Sequence, residues 1–298
     1  LGAAEAAGGR GPGDRMRTAL ADALQTWPVD AAVAVTTATA AVATAGPLQR
    51  VRPWASVTKL VTALAALLAV EEGTVDLDQP AGPPGSTLRH LLAHASGLGP
   101  DGDAVLAAPG TRRIYSNAGF DLIGTVVEAE AGIPFGEYVR TGVLDPLGMH
   151  ATSWAGSPAA GASGPLNDLL LLARELLAPT LISAGTLRLA TTTAFDGLDG
   201  VLPGFGAQRP NDWGLGFELR GDKHPHWTGA TNSPATFGHF GQSGSFLWVD
   251  PPTGLACVEL ASGPYGPWAN TAWPALSDAV LTAAAPEDVG GDADEDEA

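Results

Sequence analysis

Residues 56–72 read Ser56-Val57-Thr58-Lys59-Leu60-Val61-Thr62-Ala63-Leu64-Ala65-Ala66-Leu67-Leu68-Ala69-Val70-Glu71-Glu72, followed by Gly73. The run is apolar almost all round, which predicts a helix buried on every side, and Gly73 ends it. Ser56 opens that helix, where unpaired backbone N–H groups and the helix dipole favour negative charge. Lys59 lies one turn deeper, on the same face as Ser56. Burial disfavours the charged form of a lysine, so Lys59 can take or relay the Ser56 proton. The chain has only two lysines, Lys59 and Lys223, against thirteen arginines. A lysine committed to an apolar helix in such a chain needs a chemical reason.

Working outward, the flanks differ in character. Upstream, a helix capped by Asp14 is expected to run to Trp27, stopped by Pro28, then a tight hairpin of Ala31–Thr36 and Ala40–Thr44. Downstream, helices are expected at Thr87–Ala95, Asn117–Ala131, Pro134–Leu144, Asn167–Leu177 and Ser183–Thr193. The Gly/Pro-rich segment Asp196–Asp212 reads as irregular. Strands follow at Trp213–Arg220, Phe237–Gly241, Ser245–Asp250 and Leu255–Leu260, with a turn at Asp250-Pro-Pro-Thr-Gly254. A last helix is expected over Asn270–Ala284. Strands therefore bracket a helical middle. The reading is α/β: an antiparallel sheet formed from both chain ends and flanked by the terminal helices, with an all-α inserted subdomain. The expected division is a flexible stretch over 1–13, a sheet domain of 14–55 plus 195–285, a helical subdomain over 56–194, and an acidic disordered tail over 286–298. A site is expected in the crevice between sheet and insert.

The 298 residues carry a net charge of −17, and seven of the acids crowd the last twelve positions. The rest of the chain is still acidic, so nucleic acid and anionic membrane surfaces are disfavoured as partners. The richest apolar run, Leu60–Val70, is too short to span a bilayer, and residues 1–17 show no signal-peptide core. The single cysteine, Cys257, lies in an apolar strand and reads as buried and structural.

Two further motifs carry chemistry. Tyr115-Ser-Asn117 stands at the start of a long helix. A phenol near Lys59 is expected to have a lowered pKa and to serve as general base to Ser56, and Asn117 can position a lysine and a substrate carbonyl. The plain structural readings of the pair are a core tyrosine and an N-capping asparagine. His239-Phe-Gly241 sits on a late strand, where a backbone N–H can face the cleft.

Ser-x-x-Lys, Tyr-x-Asn and His-x-Gly in this order resemble the serine β-lactamase and D,D-peptidase superfamily, in its class C β-lactamase-like branch with D,D-carboxypeptidases and β-lactamase-like esterases. Leu88-Arg-His-Leu-Leu-Ala-His-Ala-Ser-Gly-Leu98, Arg113–Gly124, Leu144–Met149, Phe237–Gly244 and Val249-Asp-Pro251 are similar to family segments, and the resemblance spans about Asp14 to Ala285. It implies a serine hydrolase in which Ser56 forms an acyl-enzyme, with Lys59 and Tyr115 sharing acid and base work. Asn117 would orient Lys59 and substrate, and His239 and Gly241 would line the pocket. The backbone N–H groups of Ser56 and Gln242 would form the oxyanion hole. The implied partner is a small acyl donor (an ester, a β-lactam or a D-Ala-D-Ala-like peptide), with no metal or organic cofactor. His239 and Phe240 replace a lysine and a hydroxyl residue that hold a substrate carboxylate in many relatives, which favours a neutral ester or amide.

Other readings are a penicillin-binding sensor that acylates without turnover and, remotely, a trypsin-like protease using Ser243 and His94. The pairs His90/His94 and His224/His226 have spacings that can ligate zinc, but neither has the adjacent acid of a hydrolytic site.

Overall fold

The computed structural model describes residues 11–286. Helix α1 (Pro12–Thr26) leads into strands β1 (Ala31–Thr36), β2 (Ala41–Ala45) and β3 (Arg52–Pro53). A 3-10 turn over Ala55–Val57 opens α2 (Thr58–Glu71), followed by α3 (Leu88–Leu92), α4 (Asn117–Ala131), α5 (Phe135–Val139) and α6 (Asp145–Leu147). Next come β4 (Ser153–Trp154), β5 (Ala162–Gly164), α7 (Leu166–Leu177) and α8 (Ala184–Ala190). The chain finishes with β6 (Gly200–Leu202), β7 (Gly206–Gln208), β8 (Glu218–Leu219), β9 (Phe237–Gly241), β10 (Ser245–Asp250), β11 (Leu255–Ala261) and α9 (Ala269–Ala284).

The main sheet has the order β2-β1-β11-β10-β9-β8, so strands from both chain ends lie side by side. Its pairs are antiparallel, with Val33 opposite Glu259 and Leu247 opposite His239. Alternate side chains enter two cores. Val33, Val35, Phe246, Trp248 and Cys257 face the terminal helices α1 and α9. Ala32, Ala34, Leu247, Val249 and Val258 face the helical middle. Burial on both faces explains why these strands read as unbroken apolar runs. Eleven of the fourteen residues of α2 are buried, as its all-round apolarity requires.

Several expectations need correction. Gly11, not Asp14, is the N-cap of α1, and Pro12 and Gly13 are already helical. Ser56 lies in the 3-10 turn before α2 rather than in the α-helix itself. The helix expected over 87–95 is one short turn, Leu88–Leu92, because His94 turns left-handed at φ 53°. The expected helix 134–144 is broken into α5 and a π turn over Arg140–Leu144. The helical middle contains β4 and β5, which join β3 in a small second sheet. The segment read as irregular holds the β6–β7 hairpin. The expected strand 213–220 is paired to β9 only over Glu218–Leu219. The rest of the expected flexible N-terminus and the acidic tail beyond Pro286 lie outside the described residues.

Candidate active site

The turn that carries Ser56 is held from three sides. The Trp54 N–H donates to Ala162 O at 3.0 Å, and its indole Nε1 donates to Gly164 O at 3.2 Å. Ser245 Oγ donates to Trp54 O at 2.8 Å, docking the turn on β10. Ala55 adopts φ 46°, a left-handed conformation costly for a residue with a Cβ, and so turns the backbone sharply just before Ser56. Gly241 is required here. A Cβ at that position would stand 2.5 Å from Trp54 O and 3.1 Å from Ala55 Cβ, so only glycine lets β9 press against the Ser56 turn.

Three side chains meet at Ser56 Oγ and behind it. Lys59 Nζ lies 3.2 Å from Ser56 Oγ, and the Tyr115 hydroxyl donates to the same oxygen at 2.8 Å. Nζ also donates to Asn117 Oδ1 at 2.8 Å and to Ala159 O at 3.0 Å. Asn117 does not cap α4. Ser116 does, accepting from the Gly119 N–H at 2.9 Å, which frees the Asn117 amide to face Lys59. Burial brings the Lys59 ammonium down from its ordinary range to about 7, against the opposing pull of Asp121 and Asp101. Near neutral pH a large fraction is therefore free amine.

The expectation for Tyr115 is reversed. Its phenol is held above its ordinary pKa because burial outweighs the hydrogen bond to Ser56. Lys59 Nζ lies 4.8 Å from the centre of the Tyr115 ring, yet burial remains the dominant influence on the phenol. In this arrangement the Tyr115 phenol keeps its proton and donates a hydrogen bond to Ser56 Oγ, while burial favours the free amine of Lys59.

These residues open onto a cleft of about 470 Å³. Ser56, Tyr115, Asn117, His239 and Gln242 line it, together with Trp213, Phe240 and Leu202. The His239 Nδ1 lies 2.7 Å from Phe240 O, so that nitrogen carries the ring proton. Burial lowers the His239 imidazole to about 3, with the Lys59 charge acting in the same direction, so it is neutral near pH 7.

Ser243, His90, His94 and His226 have other partners. His94 Nδ1 accepts from the Ser116 N–H at 3.1 Å, whereas Ser243 Oγ is bonded to Ser245 Oγ at 3.0 Å, so these two do not form a protease-like pair. His90 Nδ1 faces Thr87 Oγ1 at 2.9 Å. His226 Nε2 lies 3.0 Å from Glu218. Among the described residues no group of three or more His, Cys, Asp or Glu is placed to hold a metal ion.

The beta-lactamase family profile matches residues 29–281. The chain belongs to the beta-lactamase family. A crystal structure of a beta-lactamase from Mycobacterium bovis is 55% identical, with a TM-score of 0.88, covering 89% of this chain and 99% of that one. EstCE1, a hydrolase with promiscuous acyltransferase activity, shares the fold at 18% identity and a TM-score of 0.75, covering 90% of this chain and 98% of that one. A Salmonella heidelberg protein named as a D-alanyl-D-alanine carboxypeptidase is 25% identical over 215 residues, 54% of this chain and 48% of that protein. The chain thus spans about half the length of the curated relatives it matches.

Sequence reasoning did not place several residues around the cleft. Lys223, the second lysine, is fully buried and donates to Glu218, Leu219 O and Asp212 O. Glu218 also accepts from the Trp227 indole at 2.7 Å, and it borders the cleft. Burial alone would raise the Glu218 carboxyl, but His226 and Lys223 hold it well below the usual carboxylate range. Asp101 and Asp121, which stand behind Asn117 and Ala159, were also missed. For Asp121 a signal existed: it is four residues after Asn117, on the same face of α4.

Proposed function

We propose that this chain is a serine hydrolase that forms an acyl-enzyme on Ser56 and cleaves uncharged esters or amides. The observation that carries the reading is the convergence of Lys59 Nζ and the Tyr115 hydroxyl on Ser56 Oγ, at 3.2 and 2.8 Å, in the wall of a cleft. Neutral Lys59 accepts the Ser56 proton as Oγ attacks the acyl carbonyl. The carbonyl oxygen becomes an oxyanion facing the backbone N–H groups of Ser56 and Gln242, donors worth about 3–4 kcal/mol each in comparable sites. The Tyr115 phenol then protonates the leaving oxygen or nitrogen as its bond to carbon breaks, and Lys59 returns its proton to the phenolate. Water repeats the sequence on the acyl-enzyme, releasing the acid. Asn117 holds Lys59 and offers its amide to the substrate.

On β9 the neutral imidazole of His239 and the ring of Phe240 offer no cation or hydroxyl for a substrate carboxylate; of the two arginines that line the cleft elsewhere, Arg112 is exposed and Arg113 is committed to the backbone carbonyls of Ala93, Ala194 and Asn211. That supports an uncharged acyl donor over a peptide C-terminus. The similarity to the Mycobacterium bovis beta-lactamase supports a second reading, hydrolysis of β-lactams. Steady-state assays of p-nitrophenyl butyrate and a fluorescent penicillin, on wild type and Ser56→Ala, separate the cases. Ester turnover lost in Ser56→Ala supports the proposal, and turnover that survives overturns it. Faster turnover of the penicillin selects the second reading. A stable penicillin adduct without turnover of either reagent selects a sensor.

A further inference from the structure

Two carboxylates approach Lys59 without touching it. On one side Nζ donates to Asn117 Oδ1, and the Asn117 Nδ2 donates to Asp101 Oδ1 at 3.1 Å. On the other side Nζ donates to Ala159 O at 3.0 Å, and the Ala159 N–H lies 3.4 Å from Asp121 Oδ1. Ser157 Oγ donates to the same Asp121 oxygen at 2.6 Å and accepts from the Ala159 N–H at 3.0 Å. Thr62 Oγ1, on α2, donates to Pro158 O at 2.6 Å. The turn 157–159 is therefore pinned between α4, through Asp121, and α2, through Thr62. Its carbonyl is one of three oxygens around the Lys59 nitrogen.

We propose that Asp121 is a positioning residue of the site: it fixes the turn whose Ala159 carbonyl holds Lys59, and it places a negative charge on that side of the lysine. The inference rests on Lys59 being the proton acceptor for Ser56. Other titratable groups facing Lys59 are Asp101 from the segment before α4, Tyr115, His94 at the end of α3 and His239 on β9. Burial keeps both imidazoles neutral and the phenol protonated. The charges left to act on Lys59 are the two carboxylates, of which Asp121 has the stronger effect. Both are exposed, so water and salt weaken but do not remove their fields.

The test is the pH dependence of kcat/KM for p-nitrophenyl butyrate, measured on the full chain as wild type, Asp121→Asn, Asp121→Ala and Ser56→Ala. Asn keeps the oxygen that accepts from Ser157 and Ala159 but removes the charge. The acid limb of Asp121→Asn is expected to move to lower pH by about half a unit, which is roughly threefold more activity at pH 6 relative to its own plateau. Asp121→Ala loses the acceptor as well, and its plateau should fall further than that of Asp121→Asn. High salt should move the wild-type limb in the same direction as the Asn variant, a measurement that needs no substitution. An Asp121→Asn limb that coincides with wild type, or moves to higher pH, overturns the proposal. So does a wild-type limb insensitive to salt. Turnover in Ser56→Ala would instead overturn the acyl-enzyme reading beneath it.

Discussion

Lys59→Arg keeps a positive charge at the start of α2 but removes the ability to lose a proton, because a guanidinium stays protonated across the working range. In wild type, three oxygens surround Nζ at 2.8, 3.0 and 3.2 Å, and burial lowers its pKa to about 7. About half of Lys59 is then free amine at pH 7 and roughly a tenth at pH 6. kcat/KM should therefore climb about tenfold from pH 6 to a plateau above pH 8. A positioned general base contributes about 10²–10⁴-fold, so Lys59→Arg should lose roughly 3–5 kcal/mol of transition-state stabilisation at that plateau. Its residual activity should also lack the acid limb near 7. The assay is initial-rate hydrolysis of p-nitrophenyl butyrate from pH 5.5 to 9, with Lys59→Met as a control for the lost charge. An Arg variant within tenfold of wild type, with the same limb, would refute the assignment of Lys59 as proton acceptor.

Tyr115→Phe removes the donor to Ser56 Oγ while leaving the ring in place. It should lower kcat about 10²-fold or more but keep the acid limb near 7, because that limb belongs to Lys59. Lys223→Met leaves Glu218 charged and buried without its lysine, and should cost about 3–5 kcal/mol in urea unfolding at pH 7. Glu259 is buried on β11, neither of its oxygens has a hydrogen-bond partner, and burial raises its carboxyl well above the ordinary carboxylate range. Burial favours the protonated Glu259 carboxyl in the folded chain while the unfolded chain ionises it readily, so this residue lowers stability as pH rises above about 4.5. Glu259→Leu should raise stability by about 1–3 kcal/mol at pH 7, and the gain should shrink as pH falls toward 4.

Much of the site was legible because its chemistry is local. Ser56 and Lys59 are one helical turn apart, and Tyr115 and Asn117 share the start of α4. Spacing alone therefore groups each pair. The sheet was legible through its apolar runs, since β1, β10 and β11 are buried on both faces. Other features come from contacts across long stretches of chain. The Lys59 bond to Ala159 spans a hundred positions, and no periodicity marks a turn carbonyl as a ligand. The direction of the Tyr115 shift was misread because the sequence shows a lysine near a phenol but not how deeply both are buried. Burial raises the phenol and lowers the ammonium, so the proton moves toward the lysine. Lys223 was visible as a rarity, but its partner Glu218 was not, because their meeting depends on how the segment after β8 folds back. The strand over 213–220 was overextended because Trp213-Gly-Leu-Gly-Phe217 has strand-like composition, yet its backbone turns away at Gly216, φ 90°.

The central claim is that Ser56 is the nucleophile. A fluorophosphonate ester, which stops at the covalent stage, tests it directly when the labelled chain is digested and mapped by mass spectrometry. One equivalent of label on the peptide containing Ser56, lost in Ser56→Ala and slowed in Lys59→Arg, is the predicted result. Label on another residue, or undiminished labelling of Ser56→Ala, would contradict it.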